Sequence, residues 1–306
     1  RHENVSETVA QRGFAFRGRV GAQRDTPIMG QPFIGSEAVA AGVVTRHELR
    51  TRFVAVHRDV YVATGTRPTA VLRAKACWLR SRRRGVLAGY SASAMHGAPW
   101  IGPELPACII DSNRRPARGI VTWADAVDDD EICVIGGMRV TSAVRAAVDL
   151  ACKLPEGIAV PAIDALARAA HLKVADIELA AERHAGRKGI NQARATIALV
   201  DPGAESPRET WLRLLVIRTG YPRPHTQHPI YNEHGALIGE VDMAWPDKKI
   251  ALEYEGRGHL DPDQFRKDIL RVEEMIEADW IVIRVTSRDG SASVLKRLAN
   301  AWSSRA

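Results

Sequence analysis

Two short segments in the last third of the chain constrain it more than any others. Residues 238–244 (IGEVDMA) and 250–256 (IALEYEG) alternate with period two, and the turn WPDKK links them. Period two is the signature of a strand with one apolar and one polar face. In the first segment Val241 and Met243 share one face, and Glu240 and Asp242 the other. In the second, Ile250, Leu252 and Tyr254 share a face, opposite Glu253 and Glu255. Paired as a hairpin, the two strands bring Asp242 close to Glu253 and gather up to four carboxylates on one face. Like charges opposed across a sheet repel. The arrangement therefore calls for a cation, basic partners or raised carboxyl pKa values. A divalent ion such as Mg²⁺ suits hard oxygen donors. The alternative is a solvent-washed acidic face balanced by Lys248, Lys249 and nearby arginines.

The flanking segments place this hairpin in a larger unit. Ser206-Pro207-Arg208-Glu209 has Ser at the N-cap, Pro at the first helical position and Glu at the third, the pattern that opens a helix. Trp211, Leu212, Leu214, Leu215 and Ile217 give that helix an apolar side, and Gly220 with Pro222 ends it. A glycine-rich exit, Gly256-Arg257-Gly258-His259, follows the second strand. A helix from about 262 carries Arg266, Asp268 and Arg271, the last two spaced to pair on one face. WIVIRVT (280–286) reads as a strand and 289–302 as a closing helix. The order is helix, hairpin, helix, strand, helix, preceded by a break at Asp201-Pro202-Gly203, where we place a boundary at about residue 201.

Charge separates this unit from what precedes it. Residues 45–84 hold 11 Arg and Lys against 2 Asp and Glu, whereas residues 201–306 hold 15 against 17. A basic front points to a polyanionic partner, nucleic acid above all. Residues 1–30 read as a poorly ordered leader. A short helix over 34–41 with Ser36 as candidate N-cap follows, then a capping box at Thr45 and Glu48, a second short helix to about Arg52, and the alternating run FVAVHRDVYVATG. Helix, turn, helix and β-wing is a winged helix-turn-helix order. The second helix carries Arg46, His47, Arg50 and Arg52, donors of the kind a recognition helix uses on DNA. A small α/β packing unit with a basic rim is the alternative. The helix over 69–84 ends in Arg80-Ser81-Arg82-Arg83-Arg84, and Arg82, Arg83 and Arg84 would reinforce a phosphate-binding face.

The middle of the chain alternates short strands (ACIID, IVTWA, EICVI, MRVTS, between 106 and 142) with Ala-rich helices at 141–152, 160–185 and 186–203. His96, just before Gly97, reads as structural. Chain length suggests two or three domains, and no apolar run approaches the roughly 18 residues of a membrane span. There is no apolar leader of a secretory signal, and four scattered cysteines form no CxxC, which favours reduced thiols in the cytoplasm. There is no GxxxxGK[ST] or GxGxxG for a nucleotide, no GxSxG elbow and no zinc spacing.

Ser206-Pro207-x-Glu209, Val241-Asp242, Glu253-Tyr254-Glu255-Gly256, His259, Arg266, Asp268-x-x-Arg271 and WIVIRVT together resemble a restriction-endonuclease-like PD-(D/E)XK nuclease core. More narrowly they resemble an uncharacterised bacterial family related to very-short-patch-repair endonucleases. The likeness covers about 100 residues. Residues 33–66 with Arg58-Asp59-Val60-Tyr61, the stretch Ser91–Gly97 and Val140-Thr141-Ser142-x-x-Arg145-x-x-x-Asp149-Leu150-Ala151 resemble abortive-infection type IV antitoxin proteins. The resemblance implies a multidomain α/β and α+β chain: a winged helix-turn-helix over 31–66, an α+β middle over 67–200 and a nuclease-like core over 201–306. It implies metal-dependent DNA cleavage with Mg²⁺ or Mn²⁺ held by Asp242, Glu253 and Glu209, although Glu209 also suits a helix cap. His259 would orient water or phosphate, and Arg266 and Arg271 would contact phosphate. The family pattern places Lys where this chain has Glu255, so Glu255 would bind metal or act as base, or mark reduced activity. The second implied function is a non-catalytic DNA-binding regulator of antitoxin type with a degenerate core, whose protein partner would be a toxin or another copy of the chain.

Overall fold

The computed structural model describes residues 30–256 and 262–305, with side chains from Arg266 onward in the second stretch. The leader over 1–29 and His259 lie outside the described residues. The first strand, β1 (Phe33–Ile34), runs directly into α1 (Gly35–Ala40); α2 (Arg46–Thr51), β2 (Phe53–His57) and β3 (Val60–Ala63) follow. The strands form an antiparallel sheet in the order β1-β3-β2. Thr45 caps α2 in a full capping box with Glu48. Ser36 is not the N-cap of α1; that position is Ile34, which offers no side-chain cap. Ser36 instead donates its Oγ to Asp59 Oδ2 at 2.6 Å, and its N–H to Oδ1 at 2.8 Å. Asp59 turns the β2–β3 hairpin at φ 60°, and these two bonds fasten that turn to α1. Gly35 is required here, because a Cβ would sit 2.5 Å from the Tyr61 ring.

The middle region runs α3 (Ala70–Arg80), β4 (Val86–Leu87), α4 (Gly89–Met95), β5 (Ala107–Ile110), β6 (Ile120–Trp123), β7 (Ile132–Ile135) and β8 (Met138–Thr141). It continues through α5 (Ala143–Lys153), α6 (Glu156–Ala169), α7 (Val174–Arg183) and α8 (Ile190–Ile197). The strands make a mixed sheet, β6-β5-β4-β8-β7. Its central strand, β4, is two residues long, too short to show a period. The stretch 160–185 is not continuous helix. It breaks between α6 and α7 at His171, which adopts φ 52°, while Leu172 N–H closes onto Ala167 O. Leu87, Val140, Leu150, Ile163, Leu166, Ile177 and Ile197 fill the core of this region. Beside it lies a buried charge network. Arg145, 2% exposed, is paired with Glu131 and, at 3.0 Å, with Asp149. His184 bonds Glu131 at 2.7 Å, and Arg187 reaches Asp149 at 2.5 Å and Asp125 at 2.8 Å.

The last region comprises α9 (Pro207–Arg218), β9 (His225–Tyr231), β10 (Leu237–Trp245), β11 (Ile250–Glu255), α10 (Pro262–Glu277), β12 (Ile281–Thr286) and α11 (Ser291–Ser304). The sheet order is β12-β11-β10-β9. β9, β10 and β11 are antiparallel neighbours, and β11 pairs parallel with β12 through the crossover helix α10. Leu212, Val216, Met243, Leu252, Val285, Val294 and Leu298 form one core, joining α9 and α11 to the sheet. Ile230, Val241, Ala251, Met275 and Trp280 form a second, joining α10 to it. The described residues thus form a mixed α/β structure with three separate sheets. Among the described residues no helix is long and apolar enough to cross a membrane.

The boundary expected near residue 201 falls between α8 and α9, and a buried ion pair spans it. Arg213 of α9, fully buried, meets Asp164 of α6 at 2.7 Å. Thr210 Oγ1 and the Asp201 N–H donate to the same carboxylate, both at 2.8 Å, and Arg213 Nη1 donates to Leu199 O. Breaking such a pair from one side strands a charge in the interior. Arg213→Met should therefore destabilise the protein by about 3–5 kcal/mol in urea unfolding. The double variant Arg213→Met/Asp164→Leu should lose less than the two single changes summed.

Burial, with Arg80 and Arg73 adding, pushes the imidazole of His57 on β2 down from 6.5 to about 4. The unfolded state therefore binds more protons between pH 6.5 and 4, so this group's stabilisation is present above 6.5 and falls as pH falls. Its loss by pH 4 should be on the order of 3 kcal/mol. Urea unfolding from pH 7 to 4 should show that slope in wild type and a flatter one in His57→Phe.

Candidate functional site

The candidate site is the acidic pair on β10 and β11. Register pairs Met243 with Leu252 and Ala244 with Ala251, and the pairing ends there, so Asp242 and Glu253 are the residues just beyond the last paired rung. The Tyr254 N–H donates to Asp242 Oδ2 at 2.6 Å, fixing that carboxylate at the edge of the ladder. Burial pushes the Asp242 carboxyl up to about 7. The Tyr254 N–H opposes the shift, while the charges of Glu209, Glu253 and Glu205 add to it.

Glu253 is 6% exposed. Its Oε1 meets Arg271 Nη1 of α10 at 2.8 Å, and that nitrogen also donates to Glu240 O at 3.1 Å. Its Oε2 is buried and accepts no hydrogen bond among the described residues. Burial raises its carboxyl above the usual range, and Arg271 opposes this. A buried carboxylate oxygen without a donor is costly, and here it lies just past the paired ladder, as Asp242 does.

The other residues expected at the site are engaged elsewhere. Glu209 completes the cap of α9: Ser206 Oγ donates to Oε1 and the Glu205 N–H to Oε2, both at 2.7 Å. Glu255 is held by Arg284 of β12, at 2.5 Å from Nη2 and 2.6 Å from Nε. Arg266 is exposed on α10. Among the described residues no group of three or more His, Cys, Asp or Glu is gathered closely enough to hold a metal ion. Two members of the neighbourhood escape the sequence pattern. Arg284 sits in an otherwise apolar strand, and Gln227, at φ 47° on β9, directs its amide to Glu209 Oε2 at 3.4 Å. β9 itself is hidden by Pro229, which interrupts the alternation that would reveal a strand.

At the front, Arg46, His47, Arg50 and Arg52 are exposed on and just beyond α2, with Arg52 3.6 Å from Glu48. The arginine run divides its work. Arg82 pairs with Asp59 at 2.7 Å and Arg83 with Glu37 at 2.6 Å, so the first docks the β2–β3 turn and the second docks α1 onto the α3–β4 turn. Arg84 donates its Nε to Ser81 O.

Two uncharacterized proteins of Mycobacterium tuberculosis, MT2308 of strain CDC 1551 / Oshkosh and Rv2248 of strain ATCC 25618 / H37Rv, are each 33% identical to this chain over 156 residues. The match covers 51% of this chain and 57% of each relative, so the chain spans little more than half the length of the curated relatives it matches. No family model and no solved structure matches.

If Arg271 is what neutralises Glu253, Arg271→Ala should cost about 2–3 kcal/mol of stability. Adding Glu253→Gln, which removes the stranded charge, should recover most of the loss in urea unfolding.

Proposed function

We propose that this chain is a metal-dependent DNA endonuclease of the PD-(D/E)XK class with a winged helix-turn-helix at its front. The carrying observation is the bare, buried Glu253 Oε2 beside the partly desolvated Asp242 carboxyl. Two hard oxygen donors at the end of one ladder, one without a donor of its own, fit a divalent cation such as Mg²⁺ or Mn²⁺. Asp242 and Glu253 would hold it, and Glu209 would join them only by giving up its cap bonds. When bound, such an ion lowers the pKa of a water and offsets charge on the departing oxygen of a phosphodiester. The Tyr254 N–H orients Asp242. Arg271 opposes the upward push that burial gives the Glu253 carboxyl and adds a cation beside the acidic pair. The helix, three strands, crossover helix and parallel fourth strand of the last region support the same reading. At the front, α1, α2 and the β2–β3 hairpin, with four basic side chains exposed along and just after α2, support DNA contact.

A second reading has its own observation. Glu255, at the position of the family's lysine, is consumed by Arg284, and both oxygens of Glu209 by the cap. These favour a DNA-binding regulator of antitoxin type built on a degenerate core, with a toxin or a second copy as partner.

Calorimetry with Mn²⁺ and Mg²⁺, run beside supercoiled-plasmid nicking, separates the two readings. The nuclease reading expects metal binding and nicking in wild type, and loss of both in Asp242→Ala with duplex affinity kept or raised. Duplex binding without metal binding or nicking in wild type establishes the regulator.

A further inference from the structure

The arginine run leads to a second feature that neither the candidate site nor the recognition helix uses. A cleft of about 430 Å³ opens where Arg84 enters β4 and where the chain leaves β5 and β6. Three guanidinium groups line it: Arg84, Arg114 beyond β5, and Arg139 on β8. Arg114 and Arg139 are exposed. Neither has a carboxylate partner among the described residues, and the only bond of Arg84 is to a carbonyl. Two acids share the lining, Asp111 and Asp125. Asp125 is already neutralised by Lys153 at 2.9 Å and Arg187 at 2.8 Å. Asp111 spends Oδ1 on its own loop, on the Asn113 N–H at 3.2 Å and Ser112 Oγ at 3.4 Å. The cleft therefore keeps an excess of positive charge.

Three arginines against the single un-neutralised carboxylate of Asp111 leave this concavity with an excess of positive charge, and an anion relieves the remaining repulsion. The lining contains no aromatic ring on which a base would stack, which argues against a free nucleotide or a base-reading pocket. Arginine forks suit phosphate oxygens. The basic character continues past the rim through Arg80, whose Nη2 donates to Arg115 O and holds the 114–118 loop against the end of α3. Arg115 and Arg118 lie on that loop. An extended run of phosphates fits such a track, as one isolated anion does not.

We propose that this cleft is a phosphate-backbone binding site that carries DNA across the middle sheet, in addition to the contacts of α2. It rests on the reading of the chain as a DNA-binding protein and is independent of whether the acidic pair cleaves.

The test is fluorescence anisotropy with a labelled DNA duplex about two helical turns long, without divalent ions, over a series of salt concentrations. If each arginine neutralises one phosphate, Arg84→Ala/Arg114→Ala/Arg139→Ala should bind at least about tenfold more weakly at low salt. The slope of log affinity against log salt should become shallower by about 2–3. Asp111→Asn keeps the acceptor for Asn113 N–H while removing a negative charge, so it should bind several-fold more tightly, a gain that damage to the fold does not produce. Unchanged affinity and slope in the triple variant overturn the proposal even if wild type binds and nicks DNA, as does a wild type with no duplex affinity. Weakened binding in the triple variant of a protein that never nicks upholds the cleft and removes only the nuclease.

Discussion

Carboxylates taken out of water must meet a cation or accept a proton, and much of this structure is arranged around that requirement. Asp164 meets Arg213, and the pair locks α9 to α6. Glu131 and Asp149 meet Arg145, with His184 and Arg187 completing the network behind the middle sheet. Glu253 meets Arg271, which ties the crossover helix α10 to the acidic pair. The Asp164 carboxylate is closely surrounded by donors, whereas Asp149 Oδ2 and Glu253 Oε2 accept no hydrogen bond among the described residues. Buried ion pairs contribute little net stability, so their consequence here is positional: each brings together elements that apolar packing alone would leave free to slide.

The arginines show the same economy at the surface. Within the run 82–84 two side chains become structural pins, to Asp59 and Glu37, and the third faces a cleft. A charge run that looks uniform in sequence is thus split between docking the β2–β3 turn and α1 and presenting positive charge. The backbone takes part in the division: Arg82 and Arg83 both lie at positive φ, 56° and 63°, which for side chains with a Cβ costs free energy.

Local signals were readable wherever they were local in origin. The capping box at Thr45 and the Ser206 cap of α9 are satisfied within four residues, and the alternation of 250–255 needs no partner to be seen. The alternation expected over 238–244 breaks at Val241, which packs against α10 while Met243 packs against α9 and α11. β4 and β9 were not readable. The first is two residues long, and Pro229 breaks the pattern of the second. The helix expected over 160–185 divides at His171, because an Ala-rich period continues through a point where the chain turns left-handed. Glu209 carried two readings in the sequence, cap and ligand; its oxygens make the cap bonds.

The sequence by itself determined the acidic hairpin, the helix starts and the asymmetry of charge between front and back, because each follows from spacing, capping chemistry or composition over a few neighbouring residues. Only the tertiary structure decided which cation serves which carboxylate. Asp164 and its arginine stand 49 positions apart, and Glu255 and Arg284 stand 29 apart. No local pattern relates such residues. They become neighbours only when helices pack and strands align, and a buried charge then pairs with whichever opposite charge the packing brings within reach.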